Sequence, residues 1–155
     1  MRIIDGQPVC LKCLYGDAKA FEIWPIGVVV NDKRRRPDGF GTTGSDISEI
    51  RLFPGQVRFT KGLADETHLT IVWYLHQSGN VKTEFARGWD GKLVGPFASR
   101  TPDRLTPIAV TDVELLEVRN NSLFVRGLDA INGSPVLDIK TSFRSLKNSA
   151  TRSQR

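Results

Sequence analysis

Residues 67–76, THLTIVWYLH, alternate with a period of two, and this stretch constrains the fold more than any other. Leu69, Ile71, Trp73 and Leu75 fall on one face of an extended strand, and His68, Thr70, Val72, Tyr74 and His76 fall on the other. A strand with one continuous apolar face needs a core to cover that face. The rest of the chain from Phe21 onward has the same rhythm of short apolar runs broken by Gly, Pro, Asn and Asp, with no long helical period. Residues 23–30, 47–53, 94–98, 108–118, 123–126 and 136–140 complete a set of about seven strands. Pro25 sits near the start of the first, where a missing N–H does least harm. Asn120-Asn121 marks a tight hairpin, since asparagine tolerates positive φ. The expected class is mainly all-β, a barrel or sandwich with one short helix in the segment from Pro54-Gly55 to Lys61-Gly62-Leu63; a barrel leaves no long open edge.

A chain of 155 residues suits one such domain. The expected organisation is a flexible leader over residues 1–20, a β-barrel over 21–143 and a basic disordered tail over 144–155. With 39% hydrophobic and 25% charged residues, disorder throughout is excluded. The longest apolar runs fall far short of the roughly 20 residues that cross a bilayer. The N-terminus carries no secretory pattern and cysteines are few, so the expected compartment is the cytoplasm, with no membrane partner.

The net charge is +5, but Arg144, Lys147, Arg152 and Arg155 account for most of it, so the body of the chain is nearly neutral. Lys33, Arg34, Arg35 and Arg36 form the one internal cationic run. They open a long, glycine-rich connection over residues 32–44 and are the candidates for meeting nucleic-acid phosphates, against the plainer reading of a solvated loop.

Cys10 and Cys13 form a single CxxC, the spacing of half a zinc site or of a redox pair. No second half follows. His68 and His76, eight residues apart on one strand, would lie about 27 Å apart at ~3.4 Å per residue and cannot share an ion. No metal site is expected, and the two cysteines read as reduced thiols.

Two polar segments exceed what strands require. FASRTPDRLTPIAV, residues 97–110, holds two arginines and an aspartate between prolines that limit its freedom. VRGLDAINGSPVLDIK, residues 125–140, places Asp129 and Asp138 on either side of an Asn-Gly turn. These segments resemble the TsaA/TrmO family motifs FATRSPxRPNPIG and LDxxDGTPVLDIKPY. IGVVV is similar to the family's IGVI strand, and GLADETHLTIVWYLHQ to its GLxxFSHLWVLYxFHQ segment. The resemblance runs from about Ile23 to Ser142, with four motifs in order.

It implies a single-sheeted β-barrel that binds S-adenosyl-L-methionine, usually as a homodimer, and methylates N6 of threonylcarbamoyladenosine at position 37 of tRNA, beside the anticodon. By position in the motifs, the implied cofactor contacts are His76, Gln77, Arg100, Val110 and the loop Leu128, Asp129, Ala130, Ile131, Asn132 and Gly133. Asp129 and Asp138 are the candidates for orienting the acceptor nitrogen or taking its proton, and Arg104 joins the cationic run as a substrate contact. Methyl transfer from a sulfonium needs alignment more than a nucleophile, and a guanidinium such as Arg100 can fork onto the methionine carboxylate. The chain departs from the pattern at Leu105-Thr106, Ala109 and Asn132, and it lacks the PRQ-like segment after the first strand. Two alternatives follow: a methyltransferase of the same fold with a small-molecule acceptor, and a non-enzymatic S-adenosylmethionine-binding module.

Overall fold

The computed structural model describes residues 1–35 and 42–153. In chain order the elements are β1 (Arg2–Ile4), β2 (Gln7–Val9), α1 (Leu11–Tyr15), β3 (Gly27–Val30), β4 (Arg34–Arg35), β5 (Thr42–Thr43), β6 (Ile47–Leu52), β7 (His68–Tyr74), β8 (Phe85–Ala86), β9 (Leu93–Val94), β10 (Ile108–Arg119), β11 (Ser122–Arg126), β12 (Pro135–Thr141) and α2 (Phe143–Ser153). They form two compact units, one of Met1–Ile23 with Leu75–Ala109 and one of Trp24–Tyr74 with Val110–Arg155.

The larger unit holds a closed six-stranded barrel in the order β10-β11-β6-β3-β12-β7. Alternation decides its interior: Val29, Ile50, Leu69, Ile71, Leu123, Val125 and Val136 are fully buried, and Trp73 nearly so. Val29 pairs with Ile50, Ile50 with Leu123, and Ile139 with Ile71, so apolar residues of neighbouring strands reach the core at the same level. The N–H of Leu115 donates to the Thr67 carbonyl at 2.9 Å between β10 and the entry to β7. Bulges between Leu115 and Glu117 and between Val136 and Asp138 provide the local bending that a closed sheet requires. Gly27 meets β6 where the backbones nearly touch: a Cβ there would lie 2.5 Å from the Arg51 carbonyl oxygen. Asn120 turns β10 into β11 with φ of 54°, the conformation expected of the Asn-Asn pair. On β6, Glu49 accepts from Arg51 and Ser122, and these bonds hold its carboxyl below the usual carboxylate range.

Several expectations are corrected. β7 ends at Tyr74, so Leu75 and His76 lie beyond the strand; Leu75 instead donates its N–H to the Pro107 carbonyl within the smaller unit. Residues 94–98 are not a strand: β9 ends at Val94 and Pro96–Ala98 form a 3-10 turn, because Pro96 has no N–H for a ladder and suits the first position of a turn. The barrel has six strands, close to the seven or so that the sequence suggests. The short helix after Pro54 is a 3-10 helix, Pro54–Phe59.

Elements also occupy the segments read as leader and tail. Residues 2–9 form the β1–β2 hairpin, which Asp5 ties down by accepting from the Thr83 N–H and hydroxyl. Residues Phe143–Ser153 form α2, whose first turn is fastened by Ser145: its hydroxyl donates to Glu66 and accepts from the Thr67 N–H. Composition alone hides this, since the residues that fasten α2 are small and polar. No described helix is long and apolar enough to cross a membrane.

Candidate functional site

The loop from Gly127 to Ser134 joins β11 to β12, and the alternation of β11, which buries Leu123 and Val125, slips by one residue at Gly127. Leu128 and Ala130 are fully buried, whereas Asp129 and Asn132 face outward. The buried residues anchor the loop to the core and leave the polar ones outside. Gly133 takes a φ of 82°, which glycine adopts without strain, at the Asn-Gly turn.

The loop is fastened to the end of β3 by an extensive set of hydrogen bonds. Gly133 donates to the Val29 carbonyl at 2.8 Å, and Val29 donates to the Ser134 carbonyl at 2.9 Å. The Asn31 side-chain amide donates to the Ser48 hydroxyl and to the Ala130 carbonyl, both at 2.9 Å, while its own N–H donates to Oδ1 of Asn132 at 3.1 Å. Oδ1 of Asn31 accepts the Lys33 N–H at 3.0 Å. The Lys33 ammonium donates to the Leu128 carbonyl. Together these bonds fix both the buried and the exposed side of the loop.

Lys33 thus has a different part from the one its charge suggests. Only 7% of its surface is exposed, so it is turned inward and holds the loop; the reading of Lys33 as a phosphate contact is corrected. A cation takes this position because the aliphatic stem can be buried while the ammonium meets a carbonyl. Arg34 and Arg35 are exposed and pair with Thr43 and Thr42. Arg36 lies outside the described residues.

Asp129 is oriented by a short relay. Indole Nε1 of Trp73, on β7, donates to Oγ1 of Thr111 at 3.1 Å, and the Thr111 hydroxyl donates to Oδ1 of Asp129 at 2.7 Å. Trp73 is a core residue, so the carboxylate is referenced to the barrel itself. Val110, beside Thr111, is 48% exposed. Asp138 has another environment: it pairs with Lys140 on the same strand and accepts the Ile139 N–H. That pairing accounts for Asp138 as a surface charge.

Whether this loop suits an adenine-bearing cofactor is decided by its unused polar groups. Oγ of Ser134 is buried and unpartnered among the described residues, and the N–H groups of Asp129 and Ile131 donate to no described group. A ligand with hydrogen-bonding edges therefore finds donors on the loop. Among the described residues no group of three or more His, Cys, Asp or Glu is placed to hold a metal ion.

The smaller unit carries the other predicted residues. Among the described residues Nδ1 of His76 is buried without a partner, in the turn that follows β7; Gln77 is exposed, and Ser78 donates its hydroxyl to the Pro102 carbonyl. Arg100 is exposed. Arg104 is half-buried, and its guanidinium donates to the Pro96 and Ser99 carbonyls. It braces the segment between β9 and β10. Ser99 and Thr101 tighten the same segment by accepting the Thr101 and Asp103 N–H groups.

Asn31, Ser48, Trp73 and Thr111 belong to this constellation, and no motif marks them. Apart from Lys33, two residues from Asn31, their partners lie between 17 and 101 residues away, so only the folded barrel identifies them.

Comparison with known proteins agrees with this geometry. Residues 29–146 match the family described as the tRNA-methyltransferase O N-terminal domain. A probable S-adenosyl-L-methionine-binding protein of Methanothermobacter thermautotrophicus is 39% identical over 80% of this chain and 91% of its own length. An S-adenosyl-L-methionine-binding protein of Archaeoglobus fulgidus is 33% identical over 75% of this chain and 85% of that protein. The human tRNA (adenine(37)-N6)-methyltransferase is 32% identical over 58% of this chain, which spans only 21% of the human protein. The crystal structure of TrmO from Pseudomonas aeruginosa shares the fold, with a TM-score of 0.58 at 24% identity, over 80% of this chain and 56% of that one. The chain belongs to the tRNA-methyltransferase O N-terminal domain family.

Proposed function

We propose that the chain is an S-adenosyl-L-methionine-dependent methyltransferase that acts on N6 of threonylcarbamoyladenosine at position 37 of tRNA, and that it works as a cytoplasmic homodimer. The observation that carries this reading is the fastened loop over residues 127–134, which presents Asp129, Asn132 and unused backbone donors while its apolar residues lock it to the barrel. Family membership supports the methyl-transfer chemistry.

When bound, the cofactor supplies an activated methyl group. The chain supplies alignment. The N–H groups of Asp129 and Ile131 would meet the hydrogen-bonding edge of the base, and the resemblance assigns an apolar cofactor contact to Val110. The resemblance assigns further cofactor contacts to Arg100, which would pair with the methionine carboxylate, and to His76 and Gln77. Asp129, held by Thr111, orients the acceptor nitrogen and takes up its proton. Because the carboxylate is held through Trp73, its direction is set before substrate arrives. Arg34 and Arg35 are exposed cations available to tRNA phosphates.

The test is calorimetric titration with S-adenosylmethionine and S-adenosylhomocysteine, for the wild type and for Arg100→Ala, followed by incubation with tRNA carrying or lacking the threonylcarbamoyl group and nucleoside mass spectrometry. Micromolar binding that Arg100→Ala weakens, with methyl transfer only to the threonylcarbamoylated tRNA, is the expected result. Absence of cofactor binding refutes the proposal.

A second reading is a binding module without transfer. It is favoured by the archaeal relatives of similar length, which are named for cofactor binding alone. Binding without transfer to either tRNA supports it.

A further inference from the structure

Cys10 and Cys13 are unused by the site described above, and they are the only cysteines in the chain. Both are exposed, and their sulfurs face each other at 2.7 Å. The N–H of Cys13 donates to Sγ of Cys10 at 3.2 Å, which turns the two side chains to the same side of α1. The segment is ordered from both directions. Before it, the β1–β2 hairpin is held by the bridge between Ile4 and Val81, by the Asp5 N–H on the Val81 carbonyl at 2.9 Å, and by Thr83 on the Asp5 carboxylate. After it, Gly16 closes α1 by donating its N–H to the Lys12 carbonyl at 2.8 Å. Two thiols on a pinned element, already in contact, need little rearrangement to join.

We propose that Cys10 and Cys13 are a redox-active dithiol that closes into a reversible intramolecular disulfide, with Cys10 the attacking thiol and Cys13 the resolving one. The oxidant is a low-molecular-weight disulfide. The Cys10 thiolate attacks one of its sulfurs and expels the first thiolate, leaving a mixed disulfide on Cys10. The Cys13 thiolate then attacks Sγ of Cys10 and expels the second. The protein loses two electrons and two protons, and the oxidant becomes two thiols. The division of roles follows from hydrogen bonding: Cys10 accepts from the Cys13 thiol and from backbone N–H groups, which lowers its pKa, while donating that bond raises the pKa of Cys13. Among the described residues no further His, Cys, Asp or Glu joins the pair in a metal-holding group. The proposal stands apart from methyl transfer and does not depend on it.

The experiment equilibrates the full chain in glutathione buffers of rising disulfide fraction, then alkylates free thiols and weighs the product. The expected result is that both alkylation sites vanish together in a chain that remains monomeric on a non-reducing gel and recovers with dithiothreitol. The Cys13→Ser chain should trap glutathione on Cys10, and the Cys10→Ser chain should react with glutathione disulfide about tenfold more slowly at neutral pH. Since both thiols are exposed, each serine variant should melt with the wild type. Both sites still alkylated in excess glutathione disulfide would overturn the proposal, as would disulfide-linked dimers, or protection that requires added zinc and no oxidant.

Discussion

Replacing Asn31 with alanine tests the account of how the 127–134 loop is held. The side-chain amide makes three hydrogen bonds, to Ser48 Oγ, to the Ala130 carbonyl and from the Lys33 N–H. Each is worth about 1 kcal/mol net, and the loss is felt in full where the partner is buried. Ser48 is 1% exposed and Ala130 fully buried, so water cannot replace the amide at either. The sum is about 3 kcal/mol, and for a chain of this size each kcal/mol moves the melting midpoint by roughly 2–4 °C. Asn31→Ala should therefore melt about 6–12 °C below the wild type, with an unchanged urea m-value. Ser48→Ala removes one end of one bond, and the double variant should show a coupling of about 1 kcal/mol. Amide exchange at residues 130–133 should quicken more than in β6 or β7, because the loop loses its anchor while those strands keep their ladders. A loss below about 1 kcal/mol, or additive effects of the two substitutions, would show that the loop is held by its buried apolar residues rather than by Asn31.

Gly27→Ala should cost roughly 1–3 kcal/mol by forcing β3 from β6, because the new methyl would lie 2.5 Å from the Arg51 carbonyl oxygen; urea unfolding measures it. Thr111→Val keeps the shape but breaks the relay to Asp129, so kcat for methyl transfer should fall while cofactor affinity is kept, and a parallel loss of affinity would refute the relay. Neutralising Arg34 and Arg35 together should weaken tRNA binding and reduce its logarithmic salt slope by about 1–2. Lys33→Met should leave that slope alone, since the ammonium is buried on the Leu128 carbonyl. Glu49 has a lowered folded pKa, caused first by its bond from Arg51. Its contribution to stability is therefore present above the ordinary value of 4.5 and lost as pH falls through the lowered one. Glu49→Gln should flatten the decline of urea midpoints in that acid range, and an unchanged decline would show that other carboxylates govern it.

What the amino-acid sequence determined by itself follows from local rules. Period-two alternation in residues 67–76 put Leu69, Ile71 and Trp73 on the buried face of a barrel strand, because the pleat sends successive side chains to opposite sides. The Asn-Asn pair marked a turn, since asparagine accepts positive φ. Short motifs marked the 127–134 loop because its residues are contiguous. The misplaced elements have local causes as well: β7 gives way at Leu75 to a bond with Pro107, and Pro96 converts an apolar run into a turn. Only the tertiary structure decided the parts played by charge and polarity. Lys33 and Arg34 are neighbours in the same cationic run, yet one is buried with its ammonium on the Leu128 carbonyl and the other is exposed. Arg104 braces its own segment, and Thr111 finds Asp129 across 18 residues. A side chain's charge specifies what it can bind, but its partner depends on chain closure over long separations, which no local window contains.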